Sequence, residues 1–150
     1  MPDAAAGFRS SSRSRDVGDA TAFARVAGAL LAWDIHRGAG FRIIEAPARA
    51  RVGATFIARA PFLPVTSRCE VVSIVDEPDR KGFTYRTLPG HPLEGEETFA
   101  VELRDGRTTL TVSERSRPAR LITKLPGARW VQGRINNRYL EVAASIARGD

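Results

Sequence analysis

The 150-residue chain has one cysteine, Cys69, one methionine and two histidines. A single thiol forms no intrachain disulfide and no Cys-x-x-Cys pair, which excludes disulfide scaffolds, dithiol redox motifs and zinc knuckles. His36 and His91 stand far apart with no His-Glu-x-x-His string, so neither a metal nor a cofactor is expected. Long apolar runs are missing too. The longest, Val26 to Trp33, falls well short of the roughly 20 residues a spanning helix needs, so no membrane span is expected. Residues 1–16, MPDAAAGFRSSSRSRD, lack the apolar stretch of a signal peptide. With reduced cysteine usage, the expectation is a cytoplasmic setting. Lysine is nearly absent, since 21 of the 23 basic residues are arginine.

What is present is material for one core. The chain is 43% hydrophobic, too apolar to remain disordered and of single-domain length. Residues 1–16 read as a loosely ordered, serine- and arginine-dotted lead-in, and residues 17–150 as a single domain. A helix is expected from about Asp19 to His36, because Phe23, Val26, Leu30 and Trp33 repeat at helical spacing. Asp19 suits the N-cap, and Gly38 and Gly40 the end. From Phe41 to about Pro118 the period becomes two, giving six strands near 41–46, 54–60, 68–76, 82–88, 96–104 and 107–116. Asp105-Gly106 marks a tight hairpin that needs positive φ at both residues. A closing helix from about Arg129 to Ala147 carries Val131, Ile135, Tyr139, Val142 and Ile146 on one face, after the break at Pro126-Gly127. Sequential strands with short links make an antiparallel meander, and its apolar face needs a cover. The expected fold is α+β, a curved antiparallel sheet of about six strands wrapped around a long C-terminal helix.

The segment Lys81–Val101, KGFTYRTLPGHPLEGEETFAV, carries the most information. Pro89-Gly90 fits the centre of a type II turn. Strand parity puts Phe99, Val101 and Leu103 on one face with Glu97, and Glu96, Thr98 and Glu102 on the other. Tyr85 and Thr87 share a face with Phe83, and Leu110, Val112, Glu114 and Ser116 share another. Polar residues on an inward face need partners or water, which a ligand cavity supplies. Adjacent Glu96 and Glu97 point apart and cannot flank one bond, against a two-carboxylate glycosidase. Ser116 lacks the Gly-x-Ser-x-Gly elbow of a serine hydrolase. His91 reads either as an acid/base residue or as a loop histidine capping a turn.

Charge is segregated. Six arginines against one acid lie in 37–68, eight acids against four bases in 76–105, and eight bases against one acid in 107–138. Such blocks can pair across strands. The aromatics fall on core faces rather than between exposed basic residues, which disfavours nucleic acid as a partner.

GFTYRTLPGHPLEGEETFAV resembles the signature of the DUF1990 domain of unknown function. ALLAWDIHRGAGFRI (Ala29–Ile43), SRPARLI (Ser116–Ile122) and QGRINNRYLEVA (Gln132–Ala143) resemble further pieces of it. Two departures are Arg86, where the family usually has a small residue, and the absence of the family's usual opening strand before the Gly7-Phe8-Arg9 stretch, which would leave a sheet edge open or make this a truncated member. The resemblance implies a helix-grip fold related to START and Bet v 1-like (polyketide cyclase-like) proteins. These mostly bind hydrophobic small molecules, and some catalyse cyclisation or hydrolysis. The expected partner is therefore an apolar or amphipathic small molecule held between sheet and C-terminal helix. Phe83, Tyr85, Phe99, Val101 and Trp33 would give apolar contact, Trp33 first as core. Thr87, His91, Glu97 and Ser116 would anchor its polar end. Two alternatives stand beside this: a cyclase- or hydrolase-like enzyme with His91 or Glu97 as general base, and an arginine-rich module for an anionic partner. The oligomeric state is left open.

Overall fold

The computed structural model describes residues 7–119 and 127–149. The first six residues of the expected lead-in, the end of the Ser116–Ile122 segment and Pro126 lie outside the described residues. Among the described residues seven strands form one sheet: β1 (Arg9–Asp19), β2 (Arg42–Glu45), β3 (Thr55–Arg59), β4 (Thr66–Glu77), β5 (Arg80–Thr87), β6 (Leu93–Arg104) and β7 (Arg107–Pro118). The order is β1-β7-β6-β5-β4-β3-β2, and every neighbouring pair is antiparallel. Helices α1 (Phe23–Leu31) and α2 (Asp34–Gly38) connect one edge strand to the other. Helix α3 (Ala128–Arg148) packs against β1, β7 and the two shorter helices. This is the expected curved sheet with a long C-terminal helix. None of the described helices is long and apolar enough to cross a membrane.

Alternation builds the sheet. Phe99 and Val101 on β6, and Leu110 and Val112 on β7, are buried. At the β6–β7 hairpin Asp105 and Gly106 have φ of 52° and 75°, the two positive values a type I′ turn requires. Within the signature segment, Gly82 and Gly95 allow close strand approach. A Cβ at Gly82 would collide with the Phe99 carbonyl oxygen, and one at Gly95 with that of Arg115.

Two expectations are corrected. Residues 9–16 are not a loose lead-in but most of β1, which raises the strand count from six to seven and covers the β7 edge. The segment offers no apolar alternation because both its faces are wet except at Val17. Its order comes from the β7 ladder and from cross-strand hydroxyl pairs, Ser12–Ser113 at 3.1 Å and Ser14–Thr111 at 2.8 Å. The single helix expected over 19–36 is broken. Asp19 does cap the start, a 3-10 turn at Ala20–Ala22, by accepting from the Thr21 N–H. Trp33 then adopts φ 69° between α1 and α2. This break turns Trp33 and His36 into the core, where both are fully buried. Trp33 stacks on Phe56 at 4.5 Å, and His36 lies 4.8 Å from Phe99 and 5.0 Å from Tyr139 between ring centroids.

The outer face is polar and ordered in rows. Ser12, Ser113, Thr98, Thr84 and Ser73 are successive partners across five strands, and beside them run Arg115, Glu96, Arg86 and Glu70. Arg86 binds Glu70 at 2.7 Å. Arg117 binds Glu94 at 2.9 Å, Arg107 binds Asp16 at 2.7 Å and Arg104 reaches Glu102 at 3.5 Å. Of these four pairs, Arg117–Glu94 joins the basic 107–138 block to the acidic 76–105 block, and the other three do not join blocks of opposite sign.

Candidate functional site

A cavity of about 80 Å³ lies between the inner face of β4–β7 and α3. Its lining mixes apolar side chains, among them Phe41, Leu63, Val65 and Ile135, with polar ones, Tyr85, Thr87, Glu97, Glu114, Ser116 and Gln132. The Pro89-Gly90 turn shapes the loop beside it. Gly90 has φ 95°, and the His91 N–H donates to the Leu88 carbonyl at 3.1 Å. Gly95 N–H donates to Thr87 Oγ1 at 3.0 Å and ties the loop's two ends together.

Glu97 is the centre of the polar lining. Tyr85 donates its hydroxyl proton to Glu97 Oε1 at 3.0 Å. Tyr85 therefore accepts from His36 Nε2–H, 3.1 Å away. That places the imidazole proton on Nε2 and leaves His36 Nδ1 as a bare nitrogen with no partner. Burial pushes His36 down to about 3, so the ring is neutral. Glu97 Oε2 is buried and also without a partner. Burial, reinforced by the nearby Glu114 charge and opposed by the Tyr85 bond, pushes Glu97 up to about 8. Glu114 is raised as well, mainly by burial. The carboxyl of Glu97 is thus largely protonated at neutral pH, a donor and acceptor at the cavity wall. Cys69, pushed up to about 12 by burial, is an inert thiol.

His91 has a different task. The Leu93 N–H donates to its Nδ1 at 2.9 Å, so the ring proton sits on Nε2 and faces Ser67 Oγ at 3.0 Å. Burial holds it down at about 4. Both nitrogens are engaged in fixing the loop to β4, as a turn-capping residue would be. Neither meets a carboxylate.

Of the nine residues singled out for ligand contact, Tyr85, Thr87, His91, Glu97 and Ser116 line the cavity. Phe99 and Trp33 do not; both have no exposed surface and fill the far end with Phe83 and Val101. The aromatic end is closed because the turn at Trp33 drives the indole between Phe56 and Phe83. Glu114 is the functional residue that the sequence reading underweighted. Its parity with Leu110 and Val112 was the available signal, since an acid on a core face must be enclosed or face a cavity. His36 carried no such signal, because its burial depends on the backbone at Trp33.

Sheet and long helix together have the helix-grip fold also seen in Bet v 1-like proteins. Residues 1–142 match the domain of unknown function family DUF1990, and the chain belongs to that family. A UPF0548 protein of Deinococcus radiodurans is 62% identical over 32 residues, which are 21% of this chain and 16% of that protein's length. Among solved structures, a hypothetical protein of Helicobacter pylori superposes with TM-score 0.63 at 13% identity, over 91% of this chain and 87% of the other. Major latex-like protein 151 of Panax ginseng gives TM-score 0.60 at 14% identity, over 92% and 97%. Ara h 8.0201 gives 0.58 at 14%, over 96% and 100%. At these identities the structural likeness concerns the fold.

Proposed function

We propose that the chain is a small-molecule-binding domain whose ligand enters the space between α3 and the β4–β7 face with its polar end at Glu97. The observation that carries this reading is the buried Glu97 carboxyl, with one oxygen unpartnered, in a residue that lines a cavity of mixed apolar and polar side chains. Polar groups are kept in such places only where something satisfies them. At about 80 Å³ the space is smaller than the several hundred Å³ typical of drug-sized ligands. The ligand is therefore slender, an amphipathic molecule inserted head first. Denaturing extraction of purified protein followed by mass spectrometry is the test. A stoichiometric compound is expected, and it should be lost from an Ile135→Trp variant that fills the cavity from α3. Extracts without any compound, together with no thermal shift from short-chain amphiphiles, would remove the reading.

The geometry narrows the enzymatic alternative to Glu97. Of the two candidate bases, Glu97 has a buried oxygen without a partner and an affinity for protons suited to neutral pH, whereas both nitrogens of His91 are engaged. A reaction run by Glu97 would follow a pH profile that Tyr85→Phe displaces and His91→Gln leaves in place.

A further inference from the structure

We infer that the ligand of this cavity carries an organic cation, a protonated amine, seated against the carboxyl groups of Glu97 and Glu114. The inference rests on the ligand-binding reading above and specifies the polar end of the ligand.

Glu97 and Glu114 are direct partners across β6 and β7, on the same inward face, and both line the cavity. The two can share this face only while one of them holds a proton or a cation stands between them, because two ionised carboxyls opposite each other would weaken the sheet. Among the described residues no lysine or arginine lines the cavity. The groups acting on Glu97 are Tyr85 from β5, Cys69 from β4, Tyr139 from α3 and Glu114 from β7, with neutral His36 of α2 one hydrogen bond behind Tyr85. None of these brings a positive charge. Glu114 is bonded by Ser11 and Asn136 and feels Arg13 of β1. The Arg13 guanidinium is itself held by Asn137 Oδ1 at 2.6 Å and the Gly133 carbonyl at 3.4 Å. Glu97 Oε2 is thus buried without a hydrogen-bond partner beside a cavity lined by acceptors from two strands, and Arg13 is the cation that acts on Glu114. Among the described residues no three His, Cys, Asp or Glu side chains come together as a metal cluster. The arrangement suits directional N–H donors, and the rings of Tyr85 and Tyr139 on the same walls also favour a cation.

Seating an ammonium displaces the proton that Glu97 holds at neutral pH. Binding should then release up to one proton and tighten as pH rises toward 8. The test is isothermal titration of the full chain, at neutral pH and in buffers of different ionisation enthalpy, with hexylamine, hexanol and hexanoate as matched probes. Hexylamine is expected to bind about tenfold tighter than hexanol, a difference of roughly 1.4 kcal/mol, with hexanoate weakest and a proton released only by the amine. Glu97→Gln should abolish the amine's advantage while hexanol still binds, and Glu114→Gln should reduce it. Hexanol or hexanoate binding as tightly as hexylamine would overturn the cation while leaving a ligand-binding cavity in place. Binding by none of the three overturns the cation as well, and the extraction result then decides the broader reading. Proton release is read on the unmodified chain, so the test does not depend on either variant folding.

Discussion

Trp33 and Glu97 both project into the space between sheet and helices, with opposite results. Around Trp33 the rings of Phe56, Phe83 and His36 leave no room, and each has at most 1% of its surface exposed. Around Glu97 two carboxyls, a tyrosine and a serine keep a cavity open. Apolar surfaces close on one another because contact removes both from water. Carboxyls on opposing strands do not, because each loses hydration and the two cannot both ionise without repelling each other. One end of the grip therefore holds the fold together, and the other is free for chemistry at a cost in stability.

The largest test of this contrast is Trp33→Ala, which should lower stability by about 3–5 kcal/mol in chemical denaturation. A loss under about 1 kcal/mol would mean that the indole is not the keystone of the packed end. Tyr85→Phe sits at the boundary. It strips a partner from Glu97 Oε1 and from His36 Nε2 and should cost roughly 1–3 kcal/mol. An unchanged midpoint would show that neither bond is held in solution. At the open end, Glu97→Gln should stabilise in a pH-dependent way. The folded protein keeps a proton that the unfolded chain, with its ordinary carboxyl near 4.5, has shed, so stability falls as pH rises from about 4.5 to about 8. The variant removes that limb, and its advantage grows with pH through this window. His36 works in the other direction, since its neutral ring makes stability fall as pH drops from 6.5 toward about 3. A Glu97→Gln difference that does not vary with pH would contradict the protonated carboxyl. Smallest is Arg86→Ala on the wet outer face, where the Glu70 pair is exposed. A change within about 0.5 kcal/mol is expected.

Much of this was legible residue by residue. Strand parity placed Glu97, Tyr85, Thr87 and Ser116 on inward faces, and the Asp105-Gly106 and Pro89-Gly90 turns carry their own backbone signals. Parity says which face a residue takes but not how far along the strand the space is filled, so Phe99 and Glu97 looked equivalent. Depth is decided by Trp33, whose positive φ has no marker in its residue type. Likewise Ser10–Arg15 reads as low-complexity chain because its order is supplied by β7, about a hundred residues away.

That separation governs the order of assembly. Ser11 Oγ donates to Glu114 Oε1 at 3.4 Å across 103 residues, so the polar lining of the cavity is completed only when the two ends of the chain meet. During synthesis Arg9–Asp19 waits unpaired until β7 has been made. A strand obliged to wait invites wrong partners when it is apolar. Serines and arginines let it stay hydrated for that interval, so the composition that hides β1 from pattern reading also protects it while the rest of the sheet forms.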